Sequence, residues 1–135
     1  MTEITSRMAV RVARPSRDLE AASAFYRDAL GLLALGSFED HHGFSGVILG
    51  LPDASRQLEL VAAPDAEPKP TAEDQLVLYL GGPEHVDGTA ARLRAAGHEP
   101  ELSPNPYWAN VGAVCFVDPD GYWLILSPQS WNDDR

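Results

Sequence analysis

His41 and His42 stand side by side with Glu39 and Asp40 immediately before them, the densest group of metal-capable donors in this 135-residue chain. Imidazole nitrogen combined with carboxylate oxygen is a donor mix that suits zinc, iron or nickel. Adjacent residues on a strand project to opposite faces, however, so EDHH followed by Gly43 reads more naturally as a polar turn than as a chelating site. His85 and His98 flank the second helix, lack a ligand cluster and are expected at the surface. Cys115 is the single cysteine; within AVCFV it fits a packed strand position better than a nucleophile, and one thiol closes no internal disulfide. The nucleophile elbow, the Walker loop, the dinucleotide fingerprint and the H-E-x-x-H pair are absent, and the serines lie in loops without a histidine and an acid at recognisable spacing. The aromatic residues offer more. Tyr79 shares strand parity with Gln75, Trp123 shares it with Ile125, and PNPYW (104–108) places Tyr107 and Trp108 on a rim-like loop. Such residues give a concave site a broad wall with a polar handle, although core packing is the competing reading of each one taken singly.

The elements that must carry these residues repeat. MAVRVARP (8–15) alternates as a strand, and RDLEAASAFYRDALG (17–31) puts Leu19, Ala22, Phe25, Tyr26, Ala29 and Leu30 on one helical face. Asp18 is the expected N-cap, and Gly31 can adopt the left-handed geometry that stops a helix. LLALGSFED, FSGVILG and RQLELVA follow as three strands joined by turn-rich DHHG and LPDAS, which predicts an antiparallel meander. The same order begins again with the strand QLVLYL (75–80) and the helix PEHVDGTAARLRAAG (83–97), in which Pro83 suits the first turn, Gly97 the end, and Val86, Ala90 and Leu93 face one way. HEPEL (98–102) is an edge-strand candidate, SPNPYWANVG a loop, and VGAVCFVDPDGYWLILS a hairpin around Asp-Pro-Asp-Gly. A first module over 8–62 and a second over 75–127 are thus predicted, each β-α-β-β-β, within one domain spanning 1–135. Residues 63–74, with prolines at 64, 68 and 70, connect them.

A chain that is 44% hydrophobic and amphipathic throughout can build a core. Its formal charge of −10 repels polyphosphate, and no basic stripe opposes that, so nucleic acid is not an expected partner. No apolar run approaches the roughly 18 residues that cross a bilayer, and MTEITSR lacks the character of a signal peptide, so no membrane partner and a cytoplasmic location are expected.

In this order the segments resemble the vicinal oxygen chelate superfamily, which includes glyoxalase I, fosfomycin and bleomycin resistance proteins and extradiol dioxygenases. The resemblance covers most of 8–127 and is carried by the first strand with RDLEAASAFYRDALGL (17–32), by RQLELV (56–61) and by FVDPDGYWLIL (116–126). It implies an α+β fold of two paired β-α-β-β-β modules whose mostly antiparallel sheets curl around a cleft, with the helices outside. Metal-dependent members seat a divalent ion on the first and last strands of each module, usually through His, Gln and Glu. By this resemblance Arg11, Glu59, Gln75 and Ile125 occupy the four positions. A guanidinium stays protonated and offers no lone pair, and isoleucine has no donor atom, so no metal or other cofactor is expected.

Strand alternation sets Arg11 opposite core-facing Val10 and Val12, and Glu59 opposite Leu58 and Leu60, which predicts an Arg11–Glu59 pair inside the cup. Two roles stand open for it: recognition of a ligand, or a structural ion pair that plugs the hollow. The expected function is binding of a small organic molecule by Arg11, Glu59, Gln75, Tyr79, Tyr107, Trp108 and Trp123. The alternatives are a glyoxalase-type lyase, isomerase or dioxygenase with Glu59 as its base or ligand, and a module whose centre is filled by side chains. A homodimer is expected from the resemblance.

Overall fold

The computed structural model describes residues 2–131. Contacts divide the chain into two units at Pro68 and Lys69, inside the proline-rich connector.

In the first unit, β1 (Val10–Pro15) leads to a helix, α1 (Leu19–Ser23), and then to β2 (Leu33–His41), β3 (Phe44–Gly50) and β4 (Arg56–Ala62). The four strands form one sheet in the order β1-β4-β3-β2. β2, β3 and β4 are an antiparallel meander, and β1 returns parallel to β4. Asp18 caps α1 by accepting the Ala21 N–H at 3.1 Å, and Gly31 leaves the helical segment at φ 102°. The helix is not α throughout. Ala24–Ala29 is π-helical, with the Leu30 N–H reaching the Phe25 carbonyl at 2.9 Å. The widened turn lets the consecutive rings of Phe25 and Tyr26 both be fully buried, edge to face at 4.8 Å. α1 packs over β3 and β4, and with it Leu49, Leu58 and Leu60 make the core.

Val10 and Val12, expected in the core, are 57% and 54% exposed. β1 is an edge strand, and the helix covers β4 and β3 rather than the outer end of β1. On the opposite face of the sheet Phe38 lies over Gly46, where an added Cβ would stand 2.5 Å from the phenyl ring, so glycine is what permits this cross-strand contact.

In the second unit β5 (Gln75–Tyr79) is followed by α2 (Pro83–Ala95), the short α3 (Pro106–Asn110), β6 (Val114–Val117) and β7 (Trp123–Ser127). The three strands are ordered β5-β7-β6, with β5 parallel and β6 antiparallel to β7. α2 packs on β7 and buries Val86, Ala90 and Leu93, and Phe116, Leu124 and Leu126 are fully buried. The Asp-Pro-Asp-Gly hairpin forms as predicted: the Asp118 carboxylate accepts the N–H groups of Asp120 at 2.8 Å and Tyr122 at 2.9 Å, and Gly121 takes φ 94°.

Two local expectations are corrected. Residues 98–102 are not a strand; only the Glu101 N–H bonds β6, at the Cys115 carbonyl, 2.8 Å away. Pro100 lies within this stretch and Pro104 just beyond it, and neither has an N–H with which to extend a ladder. The loop predicted around PNPYW instead contains α3, started by Asn105, whose side chain accepts the Tyr107 N–H at 3.0 Å, with Pro106 in the first turn. No helix among the described residues is long and apolar enough to cross a membrane.

Candidate functional site

The parallel register of β1 and β4 sets Arg11 beside Gln57 and Ala13 beside Glu59, so these side chains share one face of the first sheet. The other face belongs to the helix: Arg14, in register with buried Leu60, donates from Nη1 to the Tyr26 hydroxyl at 3.5 Å. Arg11 therefore points away from the core. Its Nε–H donates to Gln57 Oε1 at 2.8 Å and its Nη1 to Glu59 Oε1 at 3.3 Å. The Arg11 side chain is 46% exposed and that of Glu59 only 15%. Gln57 is fixed in turn by its Nε2, which donates to the Ala54 carbonyl at 2.9 Å. The result is a row of three polar side chains, a carboxamide, a guanidinium and a carboxylate, with the cation tied down from two directions.

Gln57 was missed in the sequence. Its spacing of two from Glu59 on one strand is the signal that places it there.

In the second unit, register puts Gln75, Val77 and Tyr79 on the same face as Trp123, Ile125 and Ser127, with Cys115 and Val117 of β6 joining them. Most of this face is closed. Trp108 of α3 packs with Cys115 and Ile125, and Val77, Val111, Ala113 and Trp123 close around them. Ile125 is fully buried, and Trp108, expected on an open rim, is 8% exposed. The Trp108 indole N–H is buried without a hydrogen-bond partner among the described residues. Burial pushes the Cys115 thiol pKa up, opposed in part by the Ser103 backbone N–H that bonds the sulfur. The thiol is therefore held neutral, consistent with a packing role.

The open part of this face is aromatic and lies toward the end of β7. Tyr79 sits 5.5 Å from Trp131, and Tyr107 meets Trp108 edge to face at 5.0 Å. Gln129 donates to the Tyr107 hydroxyl at 3.1 Å and accepts from the Ser127 hydroxyl at 2.9 Å, tying α3 to the strand end. Gln75 turns its amide back to the Ala72 carbonyl at 3.1 Å. A separate groove of ≈ 390 Å³ in this unit is lined by Arg94, Pro100, Glu101, Leu102, Ala109 and Cys115 among others, and holds none of the residues expected to bind a ligand.

The donor set does not fit a divalent ion. Of the four positions implied by the resemblance, Arg11 is a cation already bonded to Glu59, and Ile125 is sealed beneath Trp108. No group of three or more His, Cys, Asp or Glu side chains that could hold a metal occurs among the described residues. His41 and His42 are exposed at the β2–β3 turn, ring to ring at 4.7 Å.

Sequence comparison decides the family. The profile of the YycE-like N-terminal domain matches residues 10–61, and that of the YycE-like C-terminal domain matches residues 73–127. The chain belongs to the YycE-like family. The YycE protein of Bacillus subtilis strain 168 is 34% identical over 119 residues, covering 87% of this chain and 85% of YycE. A crystal structure of Bacillus subtilis YycE, a protein of unknown function proposed to be a glyoxalase/fosfomycin resistance protein, superposes with a TM-score of 0.85 at 31% identity, over 94% of this chain and 93% of that one. TnmS3, an antibiotic binding protein from Streptomyces sp. CB03234, aligns with a TM-score of 0.70 at 26% identity, over 96% of this chain and all of its own. Leishmania major glyoxalase I, at 21% identity and a TM-score of 0.67, covering 87% of this chain and 83% of its own, shares the fold. This YycE-like chain thus carries the vicinal-oxygen-chelate type of fold expected from its strand and helix order.

Proposed function

We propose that this YycE-like protein binds a small organic molecule without a divalent ion, and that the polar row Arg11–Gln57–Glu59 is the recognition element. The observation that carries this reading is the Arg11–Glu59 contact of 3.3 Å at two of the positions where metal-dependent relatives hold their ligands. A guanidinium there has no lone pair to give a metal ion and supplies directional N–H donors in its place. The aromatic face bearing Tyr79, Tyr107 and Trp131 offers planar groups a surface of its own. The likeness to an antibiotic binding protein over nearly the whole chain supports binding rather than turnover.

The test pairs elemental analysis of gently purified protein with a thermal-shift and fluorescence screen of small aromatic natural products. The expected result is substoichiometric metal and one or more compounds that raise the melting temperature equally with and without EDTA. A ligand at a hundred times its Kd stabilises by about 2.7 kcal/mol, well within reach of such a screen. A stoichiometric nickel, zinc, iron or manganese ion whose removal abolishes binding overturns the reading.

A further inference from the structure

We infer that the polar row reads an uncharged ligand through an adjacent hydrogen-bond acceptor and donor, as in a primary or secondary amide, a lactam or a hydroxyketone. This rests on the binding reading above and narrows it to a chemical class.

A guanidinium carries five N–H donors in a rigid fork. Arg11 spends one on Gln57 and one on Glu59, and it makes no other hydrogen bond or ion pair among the described residues. Three donors on a pinned, half-exposed cation are left over. Glu59 accepts only from Arg11, through Oε1; its second oxygen, Oε2, takes no hydrogen bond among the described residues. The Glu59 side chain as a whole is 15% exposed, so its stem is packed while the free oxygen stays within reach of a ligand. Unused donors and an unused acceptor therefore sit side by side on one sheet face, held in place by the Gln57 amide and its own bond to Ala54.

The charge balance selects among ligands. An anion gains from Arg11 but faces the Glu59 carboxylate at almost the same distance, and a cation meets the reverse. Each would surrender its hydration for little net attraction. A neutral group with a carbonyl oxygen next to an N–H or O–H satisfies both partners at once and carries no charge to desolvate. The neutrality of the pair thus makes the site a reader of donor and acceptor pattern instead of an anion or cation trap. Two-point hydrogen bonding of this kind discriminates between ligands, because one that lacks either group covers a polar atom without pairing it.

Benzamide, benzoate and benzamidinium are isosteric probes that differ only in charge and in donor and acceptor content. Their binding is measured by two-dimensional amide NMR titration of the full chain. For the unsubstituted protein the expected result is shifts centred on residues 11–13 and 57–59 with benzamide, and affinities about tenfold weaker for each of the two ions. Glu59→Gln removes the repulsion and should move the preference to benzoate. Arg11→Gln should move it to benzamidinium. Both variants replace a charge by an amide of similar shape, and retention of the spectrum and melting temperature checks that each has folded. The inference is overturned if benzoate matches or exceeds benzamide in the unsubstituted protein, or if neither substitution reorders the probes. It is also overturned if none of the three binds at millimolar concentration. When the natural-product screen still yields ligands, any of these outcomes removes the inference and leaves the broader binding reading standing.

Discussion

The two sheets of this chain are built to one plan and finished differently. Each pairs its first strand parallel with its last and covers one face with a helix, yet the opposite faces diverge. In the first sheet that face carries Arg11, Gln57 and Glu59, whose polar atoms bond one another and stay partly open. In the second, Ile125 and Cys115 are sealed by Trp108. A duplicated framework therefore does not require duplicated chemistry. One copy can keep a polar face while the other spends the equivalent face on core, which compensates for a sheet of only three strands.

The largest effect should come from forcing the second face to resemble a ligating one. Ile125→Glu restores an oxygen donor at the position implied by the superfamily resemblance, but it does so inside a fully buried apolar cluster. An uncompensated buried charge costs on the order of 3–5 kcal/mol, so urea unfolding should show most of the stability lost, with no rescue by zinc, nickel or manganese. A stable variant that binds one of these ions would break the contrast between the two faces.

Trp108 allows a finer cut. Trp108→Ala should cost about 3–5 kcal/mol, the range for deleting a large buried aromatic. Trp108→Phe should cost no more than about 1 kcal/mol, because losing the unpartnered indole N–H offsets part of the lost packing. Comparable losses in the two variants would mean that the N–H has a partner after all, and that this face is less dry than its lining residues indicate.

Much of this architecture was legible in the sequence, because helical spacing with a capping Asp18 and a stopping Gly31, and strand alternation broken by Asp-Pro-Asp-Gly, are local signals. The Arg11–Glu59 contact was legible for a related reason: strand parity and a known order of elements suffice to place two side chains on one face. What escaped was decided by tertiary packing. The π-helical turn after Ser23 keeps the same apolar residues as an α-helix would, so periodicity does not separate the two. Val10 and Val12 alternate like core residues, but which strand a helix covers is set by sheet order, not by strand composition. Burial of Trp108 depends on α3 folding down on β6 and β7, and although the Asn105-Pro106 start of α3 is readable, its docking is not. Gln57 was overlooked because a glutamine on a strand is chemically unremarkable until a neighbouring strand brings a guanidinium to it.

The smallest effect concerns Cys115, and it separates a sealed face from one that breathes. Burial raises the thiol pKa in the folded chain above its unfolded value, so the native state holds the proton more tightly. The associated stabilisation is fully present below the ordinary thiol range and is lost as pH rises through the folded pKa. Stability should therefore fall more steeply between pH 8 and pH 10 in the unsubstituted protein than in Cys115→Ala, a difference that cancels the contributions of tyrosine and lysine common to both. Alkylation by iodoacetamide at pH 8 should run at least about tenfold slower in the folded chain than in urea, since the neutral, covered sulfur reacts only through local opening. Equal alkylation rates in the two conditions would place Cys115 on an open surface and remove the distinction between the faces at its centre.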